Sequence, residues 1–376
     1  MKSSVLFLLS FLLCYSNSEA QQAKPTDSKA TKETISLYAN LKNVMKKGYL
    51  VGHQDALAYG VNWKYTPGRS DIKDVTGDYP ALYGWELGNL ELGAQINLDS
   101  VPFDKMRHYI EEGYRRGGVI TISWHGTNPY TGKTAWDPTP GTVAAVLPGA
   151  EKHDVYQAQL DKIADFLLSL KGPKGELIPV LFRPLHELTG GWFWWGAKSS
   201  SIDEFKTLFQ YTVRYLRDVK QVHNLLYVYN TGGEFNNAAQ FLERYPGDDL
   251  IDVVSFDTYQ NGKAEIDSTF IKDLDRHLTI IEAVAKEKNK IPAVAEIGFS
   301  KIPYSKWFTE AVAKAFSGHH FAYVLFWRNA GYKPSDQTTE YYVPYKGHAS
   351  APDFIRYYNL PQTIFQKEAG KLNLYK

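Results

Sequence analysis

LIPVLFRPLHE, Leu177 to Glu187, is an apolar run of strand length that ends abruptly in a His-Glu pair. Near-continuous apolar runs of this kind mark strands buried on both faces, whereas a sheet with one wet face alternates. Seven more runs follow the pattern: YLVGHQ (Tyr49 to Gln54), ALYGWELG (Ala81 to Gly88), GVITISWH (Gly118 to His125), NLLYVYNT (Asn224 to Thr231), DVVSFDTY (Asp252 to Tyr259), PAVAEIGF (Pro292 to Phe299) and FAYVLFWRN (Phe321 to Asn329). Between most of them lie amphipathic stretches of helical length. Asp154 to Lys171 aligns Leu160, Ile163, Ala164, Leu167 and Leu170 on one stripe, and Ile202 to Val219 does the same with Phe205, Leu208, Phe209, Thr212 and Leu216. Phe270 to Lys288 is a third. Strand and helix repeating about eight times predict an α/β protein, a single (β/α)₈ TIM barrel, with a doubly wound sheet as the alternative. No linker interrupts the alternation, so residues 33–376 are expected to form one domain.

Composition narrows the partner. The chain has 376 residues, 44% of them hydrophobic, enough to bury a large core. Its formal net charge is +1, which offers no concentrated basic face for nucleic acid or an anionic membrane. The 9 Trp and 26 Tyr exceed what core packing usually recruits. Flat rings with polar edges suit sugars.

Met1-Lys2, the apolar run Val5 to Leu13 and the small residues Ser18 and Ala20 read as a signal peptide, residues 1–20, with cleavage after Ala20. The run is too short for the roughly 18–20 apolar residues of a membrane span. Leu12-Leu13 before Cys14 lacks the small residue usual in a lipoprotein signal, so a periplasmic or secreted soluble protein is favoured over a lipid-anchored one. Cys14 is the only cysteine, which leaves the mature chain without disulfide, thiol nucleophile or thiolate metal ligand. Residues 21–32 are polar and weakly patterned, a short leader.

In a barrel of this kind, chemistry gathers at the C-terminal ends of the strands. Those ends carry, in order, His53, Glu86, His125, His186-Glu187, Asn230, Asp257 with Tyr259, Glu296, and Trp327-Arg328. Any one could merely cap a turn or satisfy a buried partner, the role expected for Glu86, His53, Asn230 and Asp257. Glu187 and Glu296 close the fourth and seventh apolar runs and should meet across the mouth. Two facing carboxylates are what glycoside hydrolysis uses, one as acid and the other as nucleophile or base. HELTG lacks the second His of a zinc-protease helix, and neither a phosphate-cradling glycine loop nor a G-x-S-x-G elbow occurs. No cofactor or metal is indicated.

RPLHELTGGWFWW (Arg183 to Trp195) and AEIGF (Ala295 to Phe299) resemble glycoside hydrolase family 26, the β-mannanases. GHQ (Gly52 to Gln54), SWH (Ser123 to His125), FDTY (Phe256 to Tyr259) and FWRN (Phe326 to Asn329) match as well, so the resemblance spans the mature chain. It implies a (β/α)₈ barrel, a retaining double displacement without metal, and β-1,4-mannan or its oligosaccharides as partner. It implies Glu187 as acid/base, Glu296 as nucleophile and Tyr259 as the nucleophile's partner. His125, His186, Phe299, Trp327 and Arg328 would line the sugar subsites, with Trp136 as a further contact.

The residues suggest reasons for these roles. Packing beside Trp192 and the field of Glu296 would keep Glu187 protonated, while Tyr259 and Arg328 would keep Glu296 anionic. Trp192 would stack on a sugar ring; Trp194 and Trp195 are equally well read as contacts or as rim packing. Related sugars, mixed-linkage β-glucan or β-1,3-xylan, are an alternative substrate, and a non-catalytic carbohydrate-binding barrel is an alternative function. Loops Leu87 to Val101, Gly126 to His153 and Ala330 to Ser350 are the candidates for a wall that would limit cleavage to chain ends, with mannobiose as product.

Overall fold

The computed structural model describes residues 23–262, 265–334 and 337–376; the expected export signal lies outside them. Eight strands form the barrel: β1 (Tyr49–Gln54), β2 (Leu82–Glu86), β3 (Val119–Trp124), β4 (Val180–Pro184), β5 (Leu225–Thr231), β6 (Val253–Gln260), β7 (Ile291–Phe299) and β8 (Tyr323–Phe326). Each pairs in parallel with the next, and β8 returns to β1 from Leu50↔Tyr323 to His53↔Phe326, which closes the ring. All eight apolar runs are strands of one closed (β/α)₈ barrel, not of an open sheet.

The helices follow the apolar stripes. His153–Ser169 buries Leu160, Ile163, Ala164 and Leu167. Ile202–Arg214 starts at a Ser201/Glu204 capping box, two of its orphan N-terminal groups satisfied reciprocally. It ends in a π-helical turn over Tyr215–Val219. Ser268–Lys288 is capped by Asp267 and ends at Asn289 in the left-handed region.

Alternation along the strands divides the core in two. Outward side chains such as Val51, Phe182, Val254 and Val294 pack under the helices. Inward ones, among them Leu50, Leu181, Leu226, Val228, Ala293 and Leu325, fill the lumen with no exposure beyond 1%. Interior packing leaves no room along β1: a Cβ on Gly52 would stand 2.5 Å from the Leu82 side chain on β2. Helix Lys32–Val44 adds Leu37, Tyr38, Leu41 and Val44 to the inner cluster, plugging the end where the strands begin.

The described part of the polar leader lies against that same end. Thr26 N donates to Asp252 at 2.7 Å, Asp27 pairs with His223 at 2.7 Å, and Thr31 caps the first helix. With the bottom closed and the lumen filled, the open mouth at the strand C termini is left to carry function. Among the described residues, no helix is long and apolar enough to cross a membrane.

Candidate active site

The chain after β4 is strained where it delivers Glu187. Leu185 and Glu187 both have positive φ, 51° and 48°, a conformation costing about 1–2 kcal/mol for a residue with a side chain. The aromatic block fixes it. Trp195 Nε1 donates to His186 O at 2.8 Å, Gly190 N to Glu187 O at 2.9 Å, and Trp194 Nε1 to Gly126 O at 2.8 Å, tying the β4 loop to the β3 loop. Trp194 and Trp195 are wholly buried with their N–H groups satisfied, so they build the rim and present no face to a sugar. Trp192 is the exposed member of the block, 39% accessible, and its Nε1 donates to Glu187 Oε2 at 2.7 Å.

Glu296 reaches the mouth by a different device. Along β6 and β7 the register runs Phe256↔Val294 and then Asp257↔Glu296, so Ala295 is an extra residue on β7. The bulge interrupts alternation between the outward-packed Val294 and Ile297 and re-aims Glu296 toward the barrel interior, a common use of bulges beside sites. Arg183 Nη2 donates to Glu296 Oε1, Arg183 Nη1 to Asp257 Oδ2 at 2.8 Å, and the Tyr259 hydroxyl to Glu296 Oε2 at 2.5 Å.

One oxygen from each of Glu187, Asp257 and Glu296 lies within 4.8 Å of the other two. Three carboxylates this close resemble a cation site, but the guanidinium of Arg183, 2% exposed, already supplies positive charge to two of them. The two glutamates have unlike surroundings. Burial and the negative charge of Glu296 push the pKa of Glu187 up to about 7, against the Trp192 hydrogen bond and the positive charges of His125 and Arg183. Glu296 faces donors: a permanent cation and a phenol.

The other expected site residues divide. His125 and His186 meet through their Nε2 atoms at 3.1 Å, and Trp136, 49% exposed, stacks on His125 at 4.9 Å and 13°. Trp327 is half-buried at the end of β8. Arg328 does not reach Glu296 as expected; it pairs with Asp99 and, at 2.9 Å, with Glu340, because its backbone position directs it toward the β2 and β8 loops. Arg183 holds the place expected for it. Phe299 is 3% exposed and packs on Trp307 at 6.0 Å. Glu86, Asp257 and Asn230 are buried hydrogen-bond partners: Glu86 receives Ser123 and His125, Asp257 receives Arg183, and Asn230 receives Ser255. Arg183 was missed although it carries a signal, a lone cation inside an apolar strand that must find a buried acid.

Glu187, Trp192, Glu234, Asp257 and Tyr259 line one hollow of about 460 Å³ beside β4 to β6. Trp63, Asp99, Arg328 and Tyr332 line another of about 670 Å³ beside β1, β2 and β8. The mouth is thus a cleft with a floor of paired acids and hollows on opposite sides of the ring.

The sequence profile described as "Glycosyl hydrolase family 26" matches residues 26–337. The chain belongs to glycosyl hydrolase family 26. The family likeness extends over the whole fold. The GH26 β-mannanase BoMan26A of Bacteroides ovatus is 44% identical and superposes with a TM-score of 0.87, over 92% of this chain and 98% of that one. The catalytic domain of the Bacillus sp. JAMB-750 GH26 endo-β-1,4-mannanase is 34% identical with a TM-score of 0.86, over 96% and 98%. A mannan endo-1,4-β-mannosidase of Bifidobacterium adolescentis is 35% identical over 90% of this family 26 chain, which spans 35% of that relative's length.

Proposed function

We propose that the protein is a retaining glycoside hydrolase that cleaves β-1,4-mannosidic bonds in mannan, galactomannan or manno-oligosaccharides. The observation that carries the mechanism is the placing of Glu187 and Glu296 oxygens within 4.8 Å. Direct attack on an anomeric carbon calls for carboxyl groups about 5–5.5 Å apart, whereas activation of an intervening water calls for about 6.5–9.5 Å. In the first step Glu296 attacks the anomeric carbon while Glu187 gives its proton to the leaving glycosidic oxygen, forming a glycosyl-enzyme ester. In the second, Glu187, now a carboxylate, takes a proton from water as that water displaces Glu296. Arg183 and Tyr259 orient the nucleophile and receive it back as a carboxylate when the ester breaks. Trp192 binds a ring beside the acid, with Trp136, His125, His186, Trp327 and Arg328 along the cleft. The naming of the relatives as mannanases supports the choice of sugar.

Reducing ends released from mannan, lichenan and xylan by the protein and by Glu187→Ala and Glu296→Ala test this. Hydrolysis of mannan that both substitutions abolish is expected. Activity on lichenan or xylan alone would change the sugar, and no hydrolysis at all would favour a binding protein.

The finer assignment is an exported, periplasmic or secreted enzyme that trims short units such as mannobiose. Its support is the signal-like N-terminus together with Arg328, which joins the β2 loop through Asp99 to the β8 hairpin through Glu340 and Lys333, building a wall on one side of the cleft. Mannobiose as the first product from a long chain is expected; a spread of early intermediate lengths would refute end-trimming, and retention in the cytosol on fractionation would refute export.

A further inference from the structure

We propose that Glu86 is a positioning residue that keeps His125 as an imidazolium, placing a fixed positive charge beside the two reacting carboxyl groups. The inference rests on the hydrolase function above and adds a charged group to its machinery.

The Glu86 carboxylate is wholly buried and receives four donors. Gly88 N and His125 N reach Oε1 at 2.6 and 2.7 Å, while Ser123 Oγ and His125 Nδ1 reach Oε2 at 2.5 and 2.9 Å. The two backbone N–H groups can only donate, so Oε1 carries no proton, and with His125 Nδ1 and Ser123 Oγ as donors only the anion accepts at all four positions. Glu86 is therefore an anion in a dry setting, and such a charge is tolerated only beside a counter-charge. His125 is the one ionisable group bonded to it among the described residues. Burial alone would raise the Glu86 pKa, but the charge and hydrogen bonds of His125 pull it down to about 2.

The same pairing acts on His125. Burial opposes its charge, yet Glu86, with Glu296 and Glu187 beyond, raises its pKa above the ordinary histidine value. Every face of the ring is accounted for. Glu86 takes Nδ1, the Trp136 face covers it at 4.9 Å, the Phe193 ring meets it at 5.2 Å, and His186 stands at Nε2. Two imidazole nitrogens 3.1 Å apart need one hydrogen between them. With His125 doubly protonated, its Nε2–H donates and His186 Nε2 accepts. His186 is then neutral with its proton on Nδ1, an atom that has no other partner among the described residues. Burial, His125 and Arg183 all lower the His186 pKa, which agrees with a neutral His186.

The arrangement matters for Glu187. Its neighbours His125 and Arg183 oppose the upward push of burial and Glu296, so the imidazolium helps set how far the acid's pKa rises. Arg183 is tied to Asp257 and Glu296, whereas His125 is paired directly with Glu86.

Two measurements test the proposal. In ¹⁵N–¹H spectra of the unsubstituted protein at pH 6.5, the ordinary histidine midpoint, His125 should read as doubly protonated and His186 as the neutral Nδ1–H tautomer. A neutral His125 there would overturn it. This readout needs no substrate and no variant, so its failure is separable from failure of the hydrolase assignment, which absence of hydrolysis by the unsubstituted protein would reveal. Glu86→Gln, folded by circular dichroism, should lower kcat/KM roughly 10- to 100-fold, the loss of one charge-assisted hydrogen bond. It should also move the basic limb of the kcat/KM–pH profile upward, and Glu86→Asp should partly restore both. If Gln fails to fold, the Asp variant and the spectra decide. An unmoved limb in a folded Gln variant would mean that Glu86 merely packs.

Discussion

Glu187 and Glu296 approach within a few ångströms, yet the protein treats them as opposites. Around Glu187 stand an indole and a strained loop, with no directly bonded cation among the described residues. Glu296 sits on a bulged strand under a guanidinium and a phenol. The two identical side chains are divided by their neighbours: burial favours the protonated form of Glu187, which suits the proposed acid, and the donors at Glu296 hold both of its oxygens in place for the proposed attack. The comparison is open to attack from either side.

The largest effect should come from removing the proposed nucleophile, Glu296. Glu296→Ala is expected to lower kcat on mannan by more than about 10⁴-fold, and azide should restore turnover as a glycosyl azide of inverted configuration, read by NMR. Arg183→Met should follow: it leaves Glu296 and Asp257 buried without their cation, a loss of about 3–5 kcal/mol in urea unfolding. An unchanged midpoint would mean that the two acids do not depend on it. Tyr259→Phe removes one donor from Glu296 and should cost roughly 10- to 100-fold in kcat with a near-normal fold.

On the acid's side, Glu187→Gln should change stability only at higher pH. The folded pKa of about 7 exceeds the ordinary carboxylate value of about 4.3. The folded state therefore binds the extra proton between these values, and stability falls as pH rises through that window. The Gln variant should match the parent at pH 4 and exceed it by up to about 3–4 kcal/mol at pH 8; equal gains at both would contradict the raised pKa. The smallest effect is expected from Trp192→Phe, which keeps the ring but drops the N–H on Glu187. It should shift the basic limb of the rate profile slightly upward, with a few-fold change in kcat/KM.

The same contrast explains what could be seen in the sequence. The eight strands were legible because burial on both faces writes one continuous apolar run per strand, and Glu187 and Glu296 stood out as charges where such runs end or falter. The extra residue Ala295 was not, since a bulge leaves no mark in an unbroken apolar stretch. Nor could the block GGWFWW say which indole faces outward: Trp192, Trp194 and Trp195 differ by loop path, not by chemistry. Arg183 and Arg328 are the same residue at two strand ends, and only side-chain direction assigns one to Glu296 and the other to Asp99 and Glu340.

The stereochemistry of the first turnover tests the division of labour most directly. Proton NMR of manno-oligosaccharide hydrolysis, recorded before mutarotation, should show the new reducing end appearing first as the β-anomer. The α-anomer appearing first would mean that water, not Glu296, reaches the anomeric carbon.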